Sequence, residues 1–302
     1  MPETPWTIGR LLTWTTDFLR EKGAEAPRLD AEILLAHARG CARIELYTAF
    51  EDVTEEPLRE TFRELVRKRA AGMPVAYLVG HREFFSLDFH VSYEVLIPRP
   101  ETELLVVRTL DLAKSLVQEF SDDLPLRIAD VGTGSGIVAI CCAKQFSDCQ
   151  ITAIDISEAA LSVARTNADR HEVANRIDWI HSDLFPQAPS PDSSDTRTYH
   201  LIVSNPPYVT SAEMKQLPAT VGQYEPHLAL DGGEQGTTVI ERLLFQAAEQ
   251  LCPGGWLLIE VGPSIVERVE QLILAEPTWD LHKTEKDLAG HPRVVRAQRR
   301  TL

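Results

Sequence analysis

From Leu126 onward, short apolar runs that read as buried strands alternate with runs at helical spacing, and this alternation narrows the fold more than any other feature of the chain. Residues 127–131, 151–155, 177–181, 200–204 and 256–261 predict strands. Residues 137–145, 158–170 and about 266–275 predict helices. Strands that are apolar on both faces and joined by helix-length connections belong in a mostly parallel sheet covered on both sides. The expected class is therefore α/β with a doubly wound sheet. Residues 279–285 and 294–298 suit a closing antiparallel hairpin.

The first 75 residues follow a different rule. Ile8, Leu11, Leu12, Phe18 and Leu19 recur at helical spacing. Asp30 is placed to cap a helix that carries Ile33, Leu34 and Leu35 and stops at Gly40. Thr54 is placed to begin another, with Leu58, Phe62, Leu65 and Val66 on its apolar face and Gly72 and Pro74 at its end. Residues 1–75 are thus expected to form a small all-helical domain for substrate docking. Residues 76–97, with the aromatic run from Glu83 to Val91, predict a linking β-hairpin, and residues 98–302 the catalytic domain. The prolines of Ile97-Pro98-Arg99-Pro100 interrupt regular structure before a helix over about 101–119. Residues 185–198, rich in Pro, Ser and Asp, predict an exposed loop.

Composition excludes several roles. With 30 Lys plus Arg against 45 Asp plus Glu, the net charge of −15 is the reverse of what a non-specific grip on a phosphate backbone needs. No nucleic-acid substrate is expected. The five cysteines are odd in number and contain no CxxC pair, which points to reduced thiols. None of the nine histidines falls at metal-ligand spacing, so no metal is expected. No leader and no apolar run of about 18 residues is evident, and a cytoplasmic protein without a membrane partner is expected.

Two motifs carry the chemistry. Asp130-Val131-Gly132-Thr133-Gly134-Ser135-Gly136 lies between the first strand of the sheet and its helix. Bare glycine backbone at a strand's carboxyl end suits a ligand lying against main chain, and the following helix N-terminus suits an anionic group. The spacing is GxGxG, not the GxGxxG of dinucleotide enzymes. Asp155 ends the second strand, where a carboxylate can accept from both hydroxyls of a ribose, and Asp183 follows the third, near an adenine. The second motif is Asn205-Pro206-Pro207-Tyr208 after the strand 200–204. The Pro206 carbonyl and the Asn205 side-chain oxygen can accept both protons of a planar NH₂ group, while Tyr208 offers an aromatic wall. A delocalised amide nitrogen is a poor nucleophile, so such a site must act by positioning it against an activated methyl group.

Asn205 to Tyr208 resembles the signature of amino-group methyltransferases with a Rossmann-like fold. The wider set is similar to the HemK/PrmC-type peptide-chain release factor glutamine methyltransferases over nearly the whole chain. It comprises residues 74–80 (PVAYLVG), Arg82-Glu83-Phe84, residues 97–103 (IPRPETE), the glycine loop, Glu225-Pro226, Leu230, Gly232-Gly233, Gly236, Gly290 and Arg293. The resemblance implies the class I methyltransferase fold with S-adenosyl-L-methionine as cofactor. It also implies N5-methylation of the glutamine in the GGQ motif of class I release factors. By the same resemblance Gly132, Thr133, Gly134, Ser135, Gly136, Asp155, Asp183, Leu184 and Asn205 hold the cofactor. Asn205, Pro206, Pro207 and Tyr208 are the catalytic clamp on the substrate amide. Arg99 and Glu103 are candidate substrate contacts. Rival readings are an adenine-N6 or cytosine-N4 methyltransferase, a methyltransferase for glutamine in a ribosomal protein, a nucleotide-sensing module, and a nicotinamide-dependent oxidoreductase.

Overall fold

The computed structural model describes residues 5–119, 125–186 and 198–301, so most of the loop expected at 185–198 lies outside the described residues. The chain divides into two compact units, one of residues 1–81 with 218–224, the other of residues 82–217 with 225–302.

The first unit is helical: α1 (Ile8–Glu21), α2 (Pro27–Arg39), α3 (Glu45–Thr48), α4 (Glu56–Ala70) and α5 (Val75–Val79). Its core is the set predicted from spacing, with Ile8, Leu12, Leu19, Leu34 and Leu35 almost fully buried alongside Phe62 and Val66. Two predicted helix starts move. α2 begins at Pro27, whose fixed φ suits a first helical position, so Asp30 lies inside the first turn and accepts from Arg69 Nε at 2.7 Å. Thr54 does not cap α4, because both its N–H and its hydroxyl donate to the Trp6 carbonyl. Residues 218–224 return to this unit, where the Tyr224 hydroxyl donates to the Ala71 carbonyl at 3.2 Å.

The second unit opens with β1 (His81–Phe84) and β2 (Leu87–His90) as a two-stranded sheet. Phe85 and Ser86, both at positive φ, make its turn. Then come α6 (Thr102–Glu119), β3 (Leu126–Val131), α7 (Ile137–Gln145), β4 (Cys149–Asp155), α8 (Glu158–Arg170), β5 (Ile177–His181) and β6 (Tyr199–Ser204). The short α9 (Ser211–Met214) precedes α10 (Ala219–Gly222), which lies in the segment shared with the first unit. α11 (Thr238–Gln250), β7 (Leu251–Glu260), α12 (Val266–Ala275), β8 (Trp279–Leu281), β9 (Glu285–Lys286) and β10 (Pro292–Arg299) complete the chain.

The main sheet runs β5-β4-β3-β6-β7-β10-β8, with β9 paired to β10. β5, β4, β3, β6 and β7 are parallel, and β10 is antiparallel to both β7 and β8. Burial alternates along the strands. Ile128, Leu201, Val203 and Leu258 face the core beneath α6 and α7, while Ala129, Val131, Ile202, Leu257 and Ile259 face the core beneath α11 and α12. At about 25 cal/mol per Å² of apolar surface, two covered faces supply most of the drive to fold. Strand order reverses between β3 and β6, the place where open α/β sheets bind ligands. No helix among the described residues is long and apolar enough to cross a membrane.

Candidate active site

Register aligns the strand tips. Val131 pairs with Ile154 on one side and Ser204 on the other, and Ser204 pairs with Ile259. The next residues, Gly132, Asp155, Asn205 and Glu260, therefore leave the sheet at one level. The Ser204 hydroxyl fastens two of these tips by donating to the Val131 carbonyl at 2.6 Å.

A cavity of about 290 Å³ opens there. Of the residues predicted for the site, Gly132, Gly134, Asp155, Asp183, Leu184, Asn205, Pro206 and Pro207 line it. Gly132 has φ +75°, and a Cβ added to it would stand 3.9 Å from the Asn205 carbonyl oxygen, so only glycine leaves this stretch of backbone bare and unstrained. Asp155 accepts from the Gly134 N–H at 2.8 Å and the Ser157 N–H at 2.9 Å, one on each carboxylate oxygen. Burial pushes its pKa up, against those bonds. Ser157 caps α8, accepting from the Ala160 N–H. Asp183 is half exposed and pairs with Arg242 at 2.8 Å on the cavity rim. Leu184 has φ +62°, which costs a leucine about 1–3 kcal/mol.

The other predicted residues lie behind or beside the cavity. Thr133 is buried, and its hydroxyl donates to Asp130 at 2.7 Å. Ser135 is buried, its carbonyl accepting from Asn167 at 2.9 Å, and Gly136 is the N-cap of α7. Tyr208 packs its ring against Gly262, and burial pushes its phenol up to about 12, so the hydroxyl stays protonated. Arg99 pairs with the buried carboxylate of Glu225, which also accepts from the Ile97 N–H at 3.2 Å. Glu103 turns toward the hairpin, where it accepts from the Phe85 N–H at 3.3 Å, and it does not line the main cavity.

Residues 10–80 match the family of PrmC N-terminal domains, and residues 107–221 match the methyltransferase small domain family. A release factor glutamine methyltransferase from Rhodopirellula baltica is 48% identical over 98% of this chain and 98% of its own length. Proteins of the same name from Koribacter versatilis and Geobacter sulfurreducens are 41% and 38% identical, over 89% and 98% of this chain and 90% and 98% of their own lengths. The chain belongs to the release factor glutamine methyltransferase family. The solved hMettl16 catalytic domain, in complex with a 3′UTR hairpin, shares the fold alone, with TM-score 0.51 and 16% identity over 78% of this chain and 82% of that one.

Three supports of the site were given no role by the sequence alone. Asp130 is almost fully buried and accepts from the Thr133 hydroxyl and, at 3.0 Å, from the Ala139 N–H, so one carboxylate ties the glycine loop to α7. Burial pushes it up to about 6. Residues 230–236 zip onto the tetrapeptide's exit: Val209 N–H donates to the Leu230 carbonyl and Gly232 N–H to the Val209 carbonyl, both at 2.9 Å. A Cβ at Gly232 would stand 2.8 Å from the Pro207 carbonyl oxygen and one at Gly236 2.6 Å from that of Tyr208, which explains glycine at both. The third support is Glu260 at the tip of β7, 1% exposed and pushed up to about 7 by burial. The signal for Asp130 was its place inside the glycine motif. For Glu260 it was a lone carboxylate ending an apolar strand.

Proposed function

We infer that this chain transfers a methyl group from S-adenosylmethionine to the side-chain amide nitrogen of a glutamine in a peptide-chain release factor. We further propose that the target is the GGQ loop of class I release factors. The observation that carries this reading is the register that sets Asn205 and Pro206 level with Gly132 and Asp155 around one cavity.

The residues present fit the cofactor. Asp155 lines the cavity with both oxygens met by backbone donors, and an acidic acceptor there suits the hydroxyls of a ribose. The bare backbone at Gly132 admits a ligand to close range. Asp183, held by Arg242, stands at the same cavity as a further acceptor. When bound, the cofactor supplies a methyl group made electrophilic by its sulfonium.

Chain residues do the rest by positioning. The Asn205 side-chain oxygen and the Pro206 carbonyl accept the two N–H bonds of the glutamine amide and turn its nitrogen toward the cofactor side of the cavity. As that nitrogen gains a bond its N–H groups become more acidic, so the two acceptors hold the transition state more strongly than the ground state. Pre-set placement of this kind can lower a barrier by up to about 7–11 kcal/mol. The prolines fix φ at two consecutive positions, and the 230–236 strap holds the exit, so the acceptors need little reorganisation. Tyr208, kept neutral, closes the back of the clamp against Gly262.

Purified protein with labelled cofactor should label a release factor on the GGQ glutamine and leave the Gln→Ala loop variant blank. Equal labelling of both would overturn the target, and label found only on a ribosomal protein would move the substrate to that rival class.

A further inference from the structure

An asparagine amide has an accepting and a donating end of nearly equal size, and its clamp role requires the oxygen, not the NH₂, to face the substrate. Something must therefore settle which way Asn205 is turned. The tetrapeptide backbone does not do so, because rotation about the last side-chain bond leaves the main chain unchanged. The strand beside it does. Ser204 pairs with Ile259, so Glu260 follows Ile259 as Asn205 follows Ser204.

We propose that Glu260 is a positioning residue for methyl transfer, whose carboxylate fixes the Asn205 amide with its nitrogen inward and its oxygen toward the substrate. The proposal rests on the clamp reading above and adds the determinant of its polarity. The side chains of Thr102 and Asn205 both bear on the Glu260 carboxylate, lowering its pKa against the burial that raises it. Asn205 Nδ2 donates inward, to the Thr102 hydroxyl oxygen at 3.4 Å, which leaves the Thr102 proton to find another acceptor. Thr102 is itself 2% exposed, at the first turn of α6. Asn205 thus points its nitrogen inward toward a carboxylate that, once ionised as at pH 8, can only accept, and a flipped amide would set oxygen against oxygen.

A second observation separates this role from packing. Glu260 Oε2 has no hydrogen-bond partner among the described residues although the side chain is 1% exposed. A buried carboxylate left half satisfied costs stability, and an apolar or amide side chain of like size would pack there at lower cost. Glu101 adds a like charge nearby, and Arg293 opposes it. A residue kept at a cost to the fold, one step from the reacting tetrapeptide, fits function better than packing.

Two variants of the full-length chain, Glu260→Leu and Glu260→Gln, test this at pH 8 with cofactor and release factor. Wild-type turnover in the same assay tests the parent reading separately. Glu260→Leu should lower kcat about 10- to 100-fold, less than outright removal of the Asn205 acceptor, because the freed amide still presents its oxygen part of the time. Its cofactor Kd should stay within about threefold and its melting temperature should hold or rise. Glu260→Gln, which can still accept from Asn205, should recover kcat to within about fivefold of wild type. The Asn205 side-chain NH₂ signals in ¹⁵N spectra should shift and exchange faster with solvent in Glu260→Leu, a readout independent of turnover. A Glu260→Leu enzyme with kcat within threefold of wild type and unshifted Asn205 signals overturns the proposal. So does a loss of rate matched by equal losses of cofactor affinity and melting temperature, which would make Glu260 a structural residue.

Discussion

The loops after β3 and β6 leave the sheet side by side and are held differently. The glycine loop adds carboxylates to its main-chain bonds: Asp130 takes Thr133 and Ala139, and Asp155 takes Gly134 and Ser157, while the Gly132 and Thr133 N–H groups donate to the Ile154 carbonyl. The tetrapeptide loop is closed by main chain, through Val209, Leu230 and Gly232, and the carboxylate next to it is left with an open lone pair. The loop suited to binding is braced by two carboxylates, and the loop suited to reaction by a main-chain strap. That division predicts separable losses, affinity on one side and rate on the other.

The sharpest break would come from Asn205→Ala. Removing one acceptor from the clamp should lower kcat about 10²- to 10³-fold while cofactor Kd, by calorimetry, changes less than about threefold. A parallel fall in both would merge the two loops into a single function. Asp155→Asn probes the other side. Exchanging a charged acceptor for a neutral one should weaken the cofactor about 10- to 100-fold, with kcat at saturating cofactor within about threefold. A rate loss at saturation would erase the division.

The smallest effect is on stability. Burial lifts Asp130 to about 6, above its ordinary 3.8, so between those values the folded chain holds a proton that the unfolded chain releases. Stability from this group is therefore lost as pH rises from about 4 to 6, by roughly 2–3 kcal/mol in all. Asn at position 130 keeps an acceptor for Thr133 and Ala139 but does not titrate. Melting temperatures from pH 4 to 7 should fall less steeply in Asp130→Asn than in wild type, and identical slopes would mean Asp130 is not the buried acid described.

Much of this was readable in order along the chain. The strand–helix alternation announced the sheet because strands buried on both faces cannot hide their composition. Gly132, Asp155 and Asn205 were legible because each ends or directly follows a run that reads as a strand. What escaped depended on partners distant in sequence. Glu260 acquires a meaning only through the pairing of β6 with β7, 55 residues apart at Ser204 and Ile259 (259 − 204). Glu103 shares a motif with Arg99, yet one accepts from the hairpin turn and the other pairs with Glu225, a divergence set by tertiary contacts. Asp30 and Thr54 looked like caps from residue type alone, but Arg69 and the Trp6 carbonyl took their hydrogen bonds. The loop at 185–198 matched no motif.

The return of residues 218–224 to the helical unit makes that unit more than a detachable leader. The chain passes from the tetrapeptide through these residues before it reaches Glu225, which accepts from Ile97, and Pro226, which borders the cavity. A truncation that deletes residues 1–81 would strip Tyr224 of its Ala71 partner and leave α10, a piece of the helical unit, spliced into the rest of the chain. Gene fragments meant to isolate that half would need the 218–224 stretch redesigned as well, since the two halves were stitched, not appended.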